Sequence, residues 1–146
     1  MMDATNIHIS DLLDVRQQLN VSGITPTPQR LAIAEVLLTS HQHVTADEVF
    51  EKVNRSRVGP RVSKATVYNS LGLFVKKSLL REIFVDASRT FYDTNTQPHH
   101  HFYNLDTGQL IDMEERLVPF ILESSLPENT LVEDIEIMIR VRNQKQ

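Results

Sequence analysis

The sequence predicts an α+β protein: an N-terminal winged helix-turn-helix followed by a small α/β domain. Two observations carry the prediction. Four capped helical segments come in succession before residue 77 and two short extended runs follow at once. Beyond His99 the pattern changes to short strands, one helical stretch and an alternating strand.

Each helix has its own start signal. Ser10 opens "SDLLDVRQQL", in which Leu12, Val15 and Leu19 fall at helical spacing and after which Gly23 ends the run. Thr27 and Pro28 set a cap and a first-turn proline before "QRLAIAEVLLTS". Thr45 and Glu48 form a capping box for "ADEVFEKV". Ser63 caps "KATVYNSLGLFVKK", where Val67, Leu71 and Phe74 share one stripe while Ala65, Asn69, Gly72 and Lys76 lie opposite; Leu73 falls outside the stripe. The runs "LLREIF" and "RTFYD", joined by "VDAS", make the wing. Further on, "HHHFYNL" and "QLIDM" flank the turn "DTG", then "EERLVPFILESSL" reads as a helix that Pro119 kinks or delays, and "EDIEIMIRV" reads as a half-buried strand. A sheet this small needs more cover than its own chain supplies, so pairing with a second copy is expected.

At 146 residues, with 40% hydrophobic and 23% charged residues, the chain is long enough for one compact domain or two small ones. The expected division is 1–93, a hinge at 94–98, and 99–146. No apolar stretch approaches a membrane span, and the first residues lack the basic start and apolar core of a signal peptide, so a cytoplasmic protein is expected. Zero cysteines exclude disulfides, thiolate catalysis and cysteine-held zinc or iron-sulfur centres. The net charge of −4 is unevenly spread: residues 1–83 carry 10 basic against 8 acidic side chains, and residues 84–146 carry 5 against 11. A polyanionic partner therefore belongs to the first part.

On the fourth helix the outer face is small, polar and cationic. Asn69 and Tyr68 are placed to read base edges, Thr66 to meet a thymine methyl, and Arg30, Lys64 and Lys76 to meet phosphates of double-stranded DNA. A plain solvated helix carries lysines in the same way. The histidines are the second feature, since three of the six in the chain stand together at 99–101. In an extended segment His99 and His101 share a face and His100 points away. With Asp93 and Asp112 nearby, two imidazoles and two carboxylates suit iron(II), manganese(II) or zinc(II). Runs of histidine also occur as ordinary surface residues, and two histidines with a carboxylate also make the facial triad of a non-haem metalloenzyme.

Taken in order, "TPQRLAIAEVL", "HVTADEVFEKV", "VSKATVYNSLGLFVKKSLL", "TFYDTN", "HHHFYNLDTGQLID" and the closing strand resemble the ferric uptake regulator family of bacterial metal-responsive repressors over residues 20–142. The resemblance implies a homodimer, a winged helix that binds an AT-rich palindromic operator, an α/β dimerisation domain, and no enzymatic activity. It also implies a regulatory cation between the domains on His43, Asp93, His99, His101 and Asp112, with His43 at the start of the third helix. The family's structural zinc on two Cys-x-x-Cys pairs has no counterpart: Asn104 and Thr107 stand at the first pair and the second is missing. Asn69 replaces a common arginine, and Glu133 replaces a histidine that serves a further site, leaving His100 and Glu133 as a second metal or haem pair. The histidine triad is most similar to the iron response regulator branch, where haem is also a ligand, and the mixed Asp/His set equally resembles the peroxide-sensing branch. Iron homeostasis is thus the expected role, with peroxide or manganese response as the alternative.

Overall fold

The computed structural model describes residues 14–55, 59–113 and 125–145, and the chain divides into two compact units, Met1–Thr96 and Gln97–Gln146. The first unit contains helices α1 (Val15–Val21), α2 (Pro28–Leu38), α3 (Ala46–Arg55) and α4 (Lys64–Lys76), with strands β1 (His43–Val44), β2 (Arg81–Asp86) and β3 (Arg89–Asp93). Helices followed by an antiparallel hairpin are a winged helix, as the caps predicted. The cap atoms are those expected: Thr27 Oγ1 accepts from Arg30 N, Ser63 Oγ accepts from Thr66 N, and Thr45 and Glu48 exchange side-chain and amide bonds at 3.0 and 3.3 Å.

The first helix departs from expectation. Asp14 is extended and its carboxylate accepts the Gln17 amide at 2.8 Å, so the described helix starts at Val15; Ser10 and Leu12 lie outside the described residues. Its end is as read. Gly23, at φ +75°, takes the left-handed position, the Gly23 amide donates to Asn20 O and the Ile24 amide to Leu19 O. Leu19 and Ile24 then join Ile33, Leu37, Val67, Leu71 and Phe74 in one core. Burying each such side chain contributes roughly 1.5–3 kcal/mol, enough to decide which face of a helix turns inward. Leu73 is half-buried and packs against the margin of this core.

A second left-handed turn ends α4. The Leu79 amide donates to Phe74 O at 2.8 Å and the Ser78 amide to Val75 O at 3.0 Å, with Ser78 at φ +60°. This turn consumes Leu79 and Leu80, which the sequence reading had placed in a strand, and β2 begins at Arg81. The strand then runs on to Asp86, so the wing turns on Ala87 and Ser88 alone. The Ser88 hydroxyl and amide both donate to Asp86, holding its carboxyl below the usual range. The sheet order is β1-β3-β2. Strand β1 corrects one reading: His43 lies before α3, in a two-residue strand opposite Asp93, rather than at the helix start.

The second unit contains β4 (His101–Asn104), β5 (Leu110–Asp112) and β6 (Met138–Val141), ordered β5-β4-β6, with β5 antiparallel and β6 parallel to β4. The helical reading of 114–126 lies almost wholly outside the described residues. The closing strand is shorter than the alternation from Glu133 suggested, because His100 Nδ1 accepts the Ile137 amide at 3.1 Å and diverts it from the ladder. A polar clasp joins the β4–β5 turn to the segment after β6. Asn104 Oδ1 accepts the Asp106 and Thr107 amides while Asn104 Nδ2 donates to Asn143 Oδ1; the Asp106 carboxylate accepts from the Asn143 amide and Arg142. The clasp adds a directional tie at positions 104 and 107, where the related motif carries cysteines.

Two measurements check these assignments. Ser78→Gly removes the side chain from a left-handed residue without touching the core, and the urea midpoint should rise by the equivalent of about 0.5–1 kcal/mol. Asn104→Ala removes the acceptor of two solvent-exposed amides and releases Asn143, and the urea midpoint should fall by the equivalent of about 0.5–1.5 kcal/mol.

Candidate metal centre

In the first unit, strand pairing sets His43 directly opposite Asp93 and Val44 opposite Tyr92. Val44 and Tyr92 turn into the core, so the next residue along each strand turns the other way. His43 Nε2 then lies 3.1 Å from Asp93 Oδ2. Asp93 is only 2% exposed, and its other oxygen accepts the Asn95 amide at 2.8 Å. A carboxylate at that depth is costly without a positive partner.

The second unit repeats the theme with three donors. Register places His101 opposite Asp112, and His99, two residues earlier, shares its face. His99 Nε2 and His101 Nε2 lie 3.2 and 3.3 Å from the same oxygen, Asp112 Oδ1. His101 is fully buried, and the two imidazole rings are 4.4 Å apart between centroids. The donor atoms of the three residues lie within 4.8 Å of one another. His99 Nδ1 is 2.6 Å from the Gln97 carbonyl, and a carbonyl only accepts, so Nδ1 is the donor of that contact and Nε2 is the atom turned toward Asp112. Carbonyl-held imidazoles are the usual way a metal-binding tautomer is set.

These separations carry chemical content. An imidazole lone pair and a carboxylate oxygen repel at about 3 Å, so a proton or a cation has to lie between them. A cation bound at about 2.0–2.2 Å places neighbouring ligand atoms about 3.0 Å apart in an octahedron and about 3.4 Å apart in a tetrahedron. The contacts of 3.1, 3.2 and 3.3 Å fall between those edges. Nitrogen with carboxylate oxygen is a donor set for iron, manganese or zinc.

Among the proposed base readers, Tyr68 is 54% exposed and Asn69 is exposed beside it on α4. Tyr92 lies beneath; burial, then Glu82 and Tyr68, keep its hydroxyl above the usual range and so protonated. Lys76 is exposed, whereas Lys64 Nζ lies 3.4 Å from Asp47 and 5.5 Å from the Phe50 ring centroid, a surface pair that solvent screens. Thr66 is engaged in the cap, accepting from the Ser63 hydroxyl, and Arg30 donates to Thr25 O. His100 is bonded to Ile137 rather than to Glu133, which is exposed. Sequence reading missed Gln97, Asn95 and Gln42, the residues that hold the donors. Only Asn95 left a signal, since "DTN" is the spacing of an Asx turn.

Residues 21–140 match the family model for the ferric uptake regulator family. The peroxide-responsive repressor PerR of Staphylococcus aureus is 35% identical over 96 residues, covering 66% of this chain and 64% of that protein. The match thus spans a little under two thirds of the length of such curated relatives. The crystal structure of the Vibrio cholerae ferric uptake regulator aligns with a TM-score of 0.70 and 25% identity over 89% of this chain and all of that one. The Pseudomonas aeruginosa ferric uptake regulator, solved with manganese, aligns at 0.69 and 23% over 91% of this chain and all of that one, a likeness of fold. With the winged helix, the small sheet and 120 consecutive residues of the family pattern, the chain belongs to the ferric uptake regulator family.

Proposed function

We propose that this protein is a cation-controlled, DNA-binding transcriptional repressor that acts as a homodimer, with iron homeostasis as its field. The observation that carries the reading is the spacing of the donor atoms: carboxylate oxygens stand 3.1–3.3 Å from imidazole nitrogens in both units, as ligands around one ion would. One divalent cation would be held by His43 and Asp93 of the first unit and His99, His101 and Asp112 of the second. When bound it would supply a positive charge that offsets the two carboxylates. Mixed nitrogen and oxygen ligands suit iron(II), manganese(II) and zinc(II). The P. aeruginosa relative solved with manganese and the S. aureus peroxide-responsive relative favour a second reading, a manganese or peroxide signal read by the same residues. Haem is disfavoured by the burial of His101 and by the bond between His100 and Ile137.

DNA would meet α4. Tyr68 and Asn69 face outward on the helix that follows the Ser63 cap, within a unit whose charge is less negative than the rest. A palindromic, AT-rich duplex fits a two-fold dimer. The dimer would form on the second unit, where Phe102, Ile111 and Ile139 stand in register on one sheet face, and Ile111 and Ile139 are 46% and 41% exposed. A protein working on DNA in this way is cytoplasmic, and no residue is assigned to catalysis.

The test is fluorescence anisotropy of the full chain, first metal-free and then with manganese(II), iron(II), zinc(II) or haem, on an AT-rich palindrome and on duplexes selected from random sequence. A cation should change affinity at least about tenfold, or 1.4 kcal/mol; unchanged affinity with every ligand would overturn the reading. Holding one arrangement against the other takes around 5 kcal/mol, which loss of a single buried ligand erodes. His43→Ala should therefore shrink the cation-dependent change to less than about threefold, a larger proportional loss than the one it causes in the folding of the metal-free protein as read by the urea midpoint. Lys64→Ala should weaken all duplexes alike and reduce the salt slope by about one, whereas Tyr68→Ala should narrow the gap between selected and random duplexes. The reverse pattern would exchange the two roles.

A further inference from the structure

Gln42 makes an unusual set of bonds for a half-buried side chain between two elements. Its Nε2 donates to both Val36 O and Leu37 O, each at 2.8 Å. Those carbonyls belong to the last turn of α2, where a helix leaves its acceptors unfilled, and an N–H donor there is also favoured by the helix dipole. Its main chain is tied elsewhere. Gln42 N donates to Thr94 Oγ1 at 3.1 Å, and Gln42 O accepts the Thr94 amide at 3.3 Å.

The neighbours of these two residues give the bonds their meaning. Gln42 precedes His43, Thr94 follows Asp93, and His43 and Asp93 are themselves paired across β1 and β3. One residue therefore fastens the outer edge of the first donor pair to the end of α2. That helix buries Ile33, Ala34 and Leu37 in the core shared with Val67, Leu71 and Phe74 of α4. A packed core transmits displacement because it has few voids to absorb it.

We propose that Gln42 is the positioning residue that conveys cation occupancy at His43 and Asp93 to α2, and through the core to the DNA-reading helix. The proposal rests on the cation reading given above. Gln42 stands outside the five proposed cation ligands and outside the residues proposed to meet DNA. Its amide makes the last turn of α2 and the donor pair move together, so ordering the pair orders the turn. The direct route along β3 into the wing bypasses Gln42, and the variant should leave that route intact.

The experiment is amide hydrogen exchange on the full chain with and without manganese(II) chloride, with manganese binding to the same samples followed by calorimetry. In the wild type, manganese should slow exchange of the amides of residues 36–40 at least about tenfold. In Gln42→Ala the same amides should slow by less than about threefold, although manganese still binds. Gln42→Lys, whose ammonium again donates at a helix C-terminus, should restore the difference. A merely structural role would change exchange equally with and without manganese and leave the difference intact. The wild-type measurement alone is decisive if a variant fails to fold: no slowing at residues 36–40 with manganese bound overturns the proposal and leaves the cation reading standing. Equal slowing in wild type and Gln42→Ala does the same. No manganese binding by the wild type would sink the cation reading, and this inference with it.

Discussion

A carboxylate oxygen and an imidazole nitrogen held about 3 Å apart set the problem that the rest of this molecule is arranged around. Burial sharpens it: His101 is fully buried and Asp93 nearly so, and a low-dielectric setting raises both the cost of an uncompensated charge and the return from satisfying it. Strand register is what keeps the atoms there. His43 faces Asp93 and His101 faces Asp112 as directly opposed partners, the placement in which a sheet allows least drift. A one-residue slip in either sheet would send the donors to the opposite face.

The features around those pairs can be understood as guards on register. Val44 and Tyr92 anchor the first pair by burying the alternate residues in the core. Asn95 completes a turn on Asp93, and the Gln97 carbonyl orients the His99 ring through Nδ1. In the second unit the Asn104 and Asp106 clasp holds the β4–β5 turn and the end of β6, so the strand carrying His101 is fastened at the end away from the histidines. His100 adds a tie at the other end through the Ile137 amide. A chain with no cysteine has met this need with amides and carboxylates, whose bonds are individually modest and collectively directional.

The wing and the helices divide the work differently. The helices owe their positions to the core and their ends to caps, and the two left-handed turns at Gly23 and Ser78 set the directions in which the chain leaves α1 and α4. The wing owes its place to β1, a strand of two residues that joins the hairpin to the helical part of the unit. Because β1 also bears His43, the residue that completes the sheet is a residue of the proposed centre.

Much of this was legible in the sequence, where the signal was local. Caps at Thr27, Thr45 and Ser63, the stop at Gly23, the stripe of Val67, Leu71 and Phe74, and the alternation of His99 with His101 all depend on residues a few positions apart, and each stands where it was expected. Asp93 and Asp112 were legible as carboxylates on either side of the histidines, whereas the choice of His43 came from resemblance, since no spacing joins it to residues so distant in sequence. What failed was the extent of elements whose ends depend on remote partners. Strand β2 lost Leu79 and Leu80 to a turn on Phe74, the final strand lost Ile135 and Ile137, and β1 went unseen because two residues have no periodicity. Tertiary structure alone decided the rest: that Gln42 reaches Val36, Leu37 and Thr94, that Gln97 orients His99, and that Asn104 meets Asn143. The sequence by itself determined which residues could form helices and supply donors, because those properties are carried by side chains and near neighbours. Only the tertiary structure decided which donor faces which, because a hydrogen bond across dozens of residues exists only after the chain has closed on itself.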